Sequence, residues 1–177
     1  MAKKSKPKKF FSFISFLLTI LAIAILCMGF LPGVTYTPER GDPSSVQGFR
    51  LAFGGTVDNL SGNIGNPFSQ ETTIPFSILA VLCLVLPIIG SFFMLLLKGR
   101  FGAFVGFLCF LFAGITFFFI PQITFIQSTT SSIIGESLVA KTSFLDLGYN
   151  LGIGAIFGAG LSLVGAVGSA IKLLFVK

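Results

Sequence analysis

Four long apolar runs, residues 10–31, 74–97, 101–121 and 147–171, divide the chain, and none carries a charge in its interior. Each is about as long as the roughly 20 residues that a helix needs to cross a hydrocarbon core of about 30 Å. The pattern predicts transmembrane helices over these four ranges. What lies between them is unequal. A long polar stretch, 32–73, follows the first run, a three-residue turn, 98–100, joins the second and third, and a shorter polar stretch, 122–146, precedes the fourth.

Within the first polar stretch the period changes. Val46 to Phe53 reads VQGFRLAF, in which Phe49, Leu51 and Phe53 fall on one face by two-residue alternation and Arg50 on the other. Val34 to Thr37 (VTYT) is β-prone, and the PERGDPSS between them is rich in turn formers, so a small hairpin is expected in the first outer loop. Such a hairpin is marginal alone and needs its apolar face covered by the helix ends or a partner, which marks Phe49, Leu51 and Phe53 as candidate interaction residues. In the second stretch, Ile134, Leu138 and Leu145 share one helical face, the pattern of a short helix lying in the membrane interface. The fold expected is an all-α membrane protein, a bundle of four transmembrane helices carrying that hairpin.

Two details shape the spans. Pro87 lies in the middle of the second, where it removes a backbone hydrogen bond and predicts a kink. The fourth is crowded with small residues: Gly148/Gly152, Gly154/Gly158, Gly158/Ser162 and Gly165/Ser169 are each four apart, the spacing that lets helix backbones approach closely. This face is the expected packing seam, either inside the bundle or between chains.

Charge fixes the expected orientation. Every acid (Glu39, Asp42, Asp58, Glu71, Glu136, Asp146) falls in the two longer polar stretches, accompanied there by Arg40, Arg50 and Lys141. The remaining cations, Lys3, Lys4, Lys6, Lys8 and Lys9 in the tail 1–9, Lys98 and Arg100 in the turn, and Lys172 and Lys177 in the segment 172–177, lie on the other side of the runs. The positive-inside bias puts both termini in the cytoplasm, with the basic residues against anionic lipid, Lys172 and Lys177 snorkelling to water, and the plasma membrane as the expected location. The apolar run after the lysine-rich tail is longer than a cleaved signal's core and no A-x-A-like site follows it, so it is expected to stay as an anchor.

Composition narrows the function further. The 177 residues are 54% hydrophobic and 10% charged, with a mean hydropathy of +0.97. There is no histidine, the commonest general base and zinc ligand. Cys27, Cys83 and Cys109 fall in three different spans, where they read as small buried hydrophobes, and no acid falls within a span. Serines and threonines of the spans are expected to bond back to their own helices. Asn59-Leu60-Ser61 matches a glycosylation acceptor. No cofactor, metal or nucleic acid is expected.

The order basic tail, span, long outer loop with a strand pair, span, tight inner turn, span, shorter outer loop, span resembles the tetraspan plan of claudin-like proteins, although this chain has neither a tryptophan nor a cysteine in its first loop. The string GFRLAFGG, Gly48 to Gly55, is similar to loops of small uncharacterised four-span bacterial membrane proteins. The resemblance implies a non-enzymatic membrane protein that works by association with a membrane-protein partner or with further copies of itself. The alternative is a subunit of a transporter or an oligomeric pore. The orientation is testable directly: cysteines placed at Ser5 and Gly99 should be shielded from an impermeant thiol reagent in intact cells, whereas cysteines at Ser44 and Ser131 should react. Labelling of Gly99→Cys from outside would overturn it.

Overall fold

The computed structural model describes residues 7–38, 43–56, 70–97, 99–131 and 137–175. Lys3, Lys4, Lys6, Glu39, Arg40, Asp42, Asp58, the Asn59-Leu60-Ser61 string, Lys98, Ile134, Glu136 and Lys177 lie outside the described residues. The chain divides into two compact units, one drawn from Met1–Met28, Leu82–Phe117 and Ile156–Lys177, the other from Gly29–Val81 and Phe118–Ala155.

Four helices are long and apolar enough to cross a membrane. They are α1 (Pro7–Cys27), α3 (Ile78–Leu96), α4 (Arg100–Phe118) and α6 (Ile153–Phe175), and a 3-10 turn, Met28–Phe30, extends α1. The 19 residues of α3 or α4 span about 28 Å at 1.5 Å per residue, close to the apolar thickness of a bilayer. The boundaries differ from the expected ones: α1 already starts at Pro7, inside the stretch expected as a basic tail, and gives way to the 3-10 turn after Cys27, and the other spans shift as well. Ile74 belongs to a strand and Pro75 precedes α3, which starts where Ser77 Oγ accepts a hydrogen bond from Ala80 N at 3.4 Å as its N-cap. α4 stops at Phe118, and Pro121 opens the one-turn helix α5 (Ile120–Ile123). α6 starts six residues later than expected and runs to Phe175, because the backbone before Ile153 is taken up by a strand and a turn.

The first unit is packed through small residues. A Cβ on Gly158 would sit 2.7 Å from the ring of Phe117, and one on Gly165 would run into Phe110, so both glycines of α6 take a phenylalanine of α4 where a side chain would otherwise stand. Gly168 faces Leu18 of α1 in the same way, at 3.0 Å. Between α3 and α4 the equivalent pair is Gly90 and Gly106, and Gly102 leaves room for the Leu97 carbonyl as the chain turns back. Along α6 the buried positions are small residues, Gly154, Ala155, Gly158, Ala159, Ser162, Gly165, Ala166 and Ser169, followed by Lys172, while Phe157, Val164, Val167, Leu174 and Phe175 are exposed. That is the reverse of a water-soluble helix, which puts its large apolar side chains inside. With Phe13, Phe16 and Ile20 of α1, Phe92 and Leu96 of α3, and Phe101, Phe104 and Phe112 of α4 exposed as well, the surroundings that suit these helices are lipid.

The second unit is β-rich. Strands β1 (Pro32–Tyr36), β2 (Ser44–Gln47) and β7 (Asn150–Leu151) form one antiparallel sheet in the order β2-β1-β7, with Val34 opposite Val46 and Leu151. Strands β3 (Gly55–Thr56), β4 (Gln70–Ile74), β5 (Phe125–Ser131) and β6 (Ser137–Ser143) form a second in the order β3-β4-β5-β6. The β4–β5 pairing, Gln70 opposite Thr130 through Thr73 opposite Gln127, knits the two polar stretches into one structure. The buried Tyr149 locks the first sheet: its hydroxyl shares a hydrogen bond with Ser44 Oγ at 3.1 Å, and its ring lies 5.3 Å from Tyr36 and 5.1 Å, edge-on, from Phe144.

Two expectations about this unit are corrected. The hairpin exists, but its second strand stops at Gln47, and Gly48–Phe53 is helical (α2). The alternation of Phe49, Leu51 and Phe53 is therefore split: Leu51 and its neighbour Ala52 are both buried, whereas Phe49 and Phe53, four apart on the helix, stack with ring centroids 6.1 Å apart. The cause is local. Gly48 N donates to Leu31 O at 3.0 Å, and Gly48 comes so near Gly29 that a Cβ would meet its Cα at 3.2 Å, which turns the chain before a strand can continue. The interfacial helix expected over Ile134–Leu145 is likewise a strand for Ser137–Ser143, because β5 offers seven residues of partner in register, from Phe125 opposite Ser143 to Ser131 opposite Ser137.

The small-residue packing makes a measurable distinction on α6. Gly158→Leu should lower the thermal midpoint in detergent, since overpacking against Phe117 costs about 1–3 kcal/mol and outweighs a gain in helix propensity of about 1 kcal/mol. Gly160→Leu, at a position with open space around it, should leave the midpoint unchanged or raise it slightly. Equal losses in the two variants would show that α6 is not packed as described.

Candidate functional site

α6 carries its buried face at alternating steps of four and three: Gly158, Ser162, Gly165, Ser169, Lys172. The face starts as a surface for helix packing and ends at an ammonium group. Lys172 is 5% exposed, and its Nζ donates to Ser15 Oγ of α1 at 2.6 Å and to the Met94 carbonyl of α3 at 3.0 Å. The side chain expected to snorkel to water is turned inward instead. The spacing contained the signal: Lys172 lies three residues after Ser169 and seven after Gly165, so it continues the small-residue seam.

How a cation is tolerated there follows from its two acceptors. Met94 stands two residues before the end of α3 as Leu96 closes it, so its carbonyl is among the last four of the helix, which lack a partner in a regular α-helix. Those carbonyls carry the negative end of the helix dipole, and a cation beside them is stabilised without any carboxylate. Ser15 supplies a second oxygen, and Thr19 Oγ1 donates to the Ser15 carbonyl at 2.9 Å, holding that turn of α1. Lys172 thus joins three helices through one charged group.

The other polar atoms of the helices mostly turn back on themselves. Ser91 Oγ donates to Ile88 O at 2.9 Å, Thr116 Oγ1 to Phe112 O at 2.8 Å and Ser169 Oγ to Gly165 O at 2.7 Å. Ser162 Oγ is fully buried without a hydrogen-bond partner among the described residues, at the point where α6 comes nearest Gly114 of α4. Cys83 is buried, Cys109 half-buried and Cys27 exposed, all three as free thiols, so only Cys83 is the fully buried hydrophobe expected. Among the described residues no three His, Cys, Asp or Glu side chains come together.

The residues singled out as a packing seam divide between the units. Gly154, Gly158, Ser162, Gly165 and Ser169 are buried positions of α6. Gly148 and Gly152 are not on the helix. Gly148 takes φ of +79° in the turn that Ser143 closes by donating to Asp146 Oδ2 at 2.5 Å, and Gly152 N donates to Gly33 O at 2.9 Å, where any side chain would strike the Pro32 carbonyl. Their four-residue spacing was helical in arithmetic only. Gly90, Gly102 and Gly106, missed in the sequence reading, serve α3 and α4, and the four-residue step from Gly102 to Gly106 was a visible signal. Pro87 lies inside α3 with its side chain fully buried, lacking the N–H an α-helix uses at that position. Leu51 fills the second unit's core, Phe53 is exposed, and Phe49 between them is half-buried with its ring against Gly29.

No protein-family model, no curated protein and no solved structure matches this chain.

The Lys172 contact predicts an asymmetry. Ser15→Ala removes one acceptor but leaves the charge buried, and should lower stability in detergent by about 1–3 kcal/mol. Lys172→Met removes the charge itself in a side chain of similar length and should stay within about 1 kcal/mol of wild type, because a buried charge replaced by an apolar isostere no longer has to be desolvated. The double variant should regain most of what Ser15→Ala loses. A Lys172→Met loss larger than the Ser15→Ala loss would refute this account.

Proposed function

We propose that this chain is a non-enzymatic integral membrane protein, a four-helix bundle in a claudin-like tetraspan arrangement in the plasma membrane, with both termini in the cytoplasm and its basic residues against anionic lipid. On this reading it acts by association, as an accessory or structural subunit for another membrane protein or for further copies of itself. The orientation draws on the charge bias along the chain, and the four-span topology is supported by the β4–β5 pairing, which requires the two polar stretches to lie on one side.

The observation that carries the associative role is the outer edge of β6. Among the described residues nothing pairs with that edge over the seven residues Ser137–Ser143. Natural sheets cover or charge such edges, since a row of free N–H and C=O groups recruits another strand. Here Val139 is 52% exposed, and the one cation of the strand, Lys141, is drawn aside over the Phe125 ring with Nζ 4.6 Å from its centroid. The small-residue face of α6, by contrast, is occupied by α4 and α1 of its own chain, which moves the associating surface from the helix to the sheet. The helix interior supports this reading over a pore, since the hydroxyls of Ser91, Thr116 and Ser169 bond back to their own helices and that of Ser15 is taken by Lys172.

The test is assembly in mild detergent. Val139→Asp combined with Ala140→Asp puts two acids on the edge, and should release a companion protein or a second copy while changing the thermal midpoint by no more than about 0.5 kcal/mol of stability. A wild-type protein that purifies as a single chain without companions, and alone makes liposomes permeable to ions, would replace this reading with the pore.

A further inference from the structure

α2 is fastened at both ends to the ends of helices that can span a membrane. At its start, Gly48 N donates to Leu31 O at 3.0 Å, one residue past the candidate span Ser12–Phe30. At its end, Ser77 N donates to Ala52 O at 3.1 Å, one residue before the candidate span Ile78–Leu96. A six-residue helix is thus tied to the residue that follows one candidate span and to the residue that precedes the next.

The side chains around α2 are aromatic, and all but the half-buried Phe49 are exposed. Phe30, the last residue of the first span, is 67% exposed and packs edge-on against Phe49 with centroids 4.7 Å apart. Phe49 stacks on Phe53, itself 58% exposed, and Phe76, whose backbone passes beside Gly54, is 60% exposed. Arg50 is exposed on the same short helix. Aromatic residues at the ends of membrane helices sit at the headgroup boundary, usually as tryptophan or tyrosine. This chain has no tryptophan, and its two tyrosines, Tyr36 and Tyr149, are committed to the first sheet.

We propose that α2 is a membrane-surface helix: Phe30, Phe49, Phe53 and Phe76 rest at the boundary between headgroups and acyl chains in the leaflet where these two spans end, and Arg50 reaches the lipid phosphates. The occupant of this apolar surface is lipid because its rings are next in the chain to spans: Phe30 is the last residue of the first candidate span and touches Phe49, and Phe76 stands two residues before the second. Phe49 is half-buried with its ring against Gly29, while Phe30, Phe53 and Phe76 around it stay exposed. The inference rests on the membrane reading but is independent of what binds the β6 edge.

The chain's lack of tryptophan makes the test clean. Phe53→Trp and, separately, Phe76→Trp each give a protein with a single tryptophan at an exposed aromatic position, and Val139→Trp on β6 gives the comparison. In liposomes, emission from the first two should be blue-shifted and quenched by lipids brominated near the headgroup more than by lipids brominated at the chain ends, while Val139→Trp should emit as in water and be unquenched. Water-like, unquenched emission from Phe53→Trp and Phe76→Trp would overturn the proposal, as would stronger quenching by the deep label or equal quenching of all three variants. Flotation of the same samples separates the two levels of the argument: protein that does not float with the liposomes refutes the membrane reading itself, whereas protein that floats with an unquenched Phe53→Trp refutes only the surface helix.

Discussion

The contact between the small face of α6 and the Phe110 and Phe117 rings of α4 is the constraint on which the helical unit depends. These helices are apolar on their outer faces as well as at their contacts, so hydrophobicity alone cannot say which side faces in. Shape decides it. Where glycine and serine remove side-chain volume, a neighbouring ring can enter, and dispersion contacts accumulate that a lipid chain would make less well. A leucine at the same position would leave two helices no closer to each other than to the solvent around them.

Lys172 shows the same economy with charge. A lysine inside a helical unit is ordinarily answered by a carboxylate, but the spans contain no acid. The carbonyl of Met94, left over by the end of α3, and the hydroxyl of Ser15 take that role. Because the acceptors are neutral, the ammonium does not gain a strong Coulomb partner. It gains geometry, fixing three helices against one point. In the β-rich unit Tyr149 works comparably, its ring and its hydroxyl holding strands that are too short to be stable as isolated pairs.

The proposed associative role and the proposed surface helix concern different parts of the second unit, and they differ in what they ask of the surroundings. An open strand edge offers directional backbone hydrogen bonds and so suits another polypeptide. A row of phenylalanine rings offers area without direction and so suits a fluid such as lipid. Arg50 and Lys141 mark the distinction, the one exposed on α2, the other drawn over Phe125 and away from the edge that it would otherwise guard.

The amino-acid sequence by itself determined the four apolar helices, since twenty uncharged residues in a row have few ways to satisfy their backbone except within a helix, and it determined the first hairpin through a β-prone pair around a turn-rich link. Lys172 continues the four-and-three spacing that runs from Gly158, but its inward direction, against the expected snorkelling, was decided by acceptors on α1 and α3. What only the tertiary structure decided were the segments with competing local preferences. Gly48–Phe53 alternates like a strand yet coils, because Gly48 and Gly29 approach too closely for the strand to go on. Ser137–Ser143 has helical spacing yet extends, because β5 supplies a partner far along the chain. Gly148 and Gly152 keep the spacing of a helix seam yet serve a turn and a strand contact. In each, a short segment's intrinsic preference amounts to a fraction of a kcal/mol per residue, less than a row of backbone hydrogen bonds or a close backbone approach made with residues distant in sequence, so the partner and not the pattern sets the conformation.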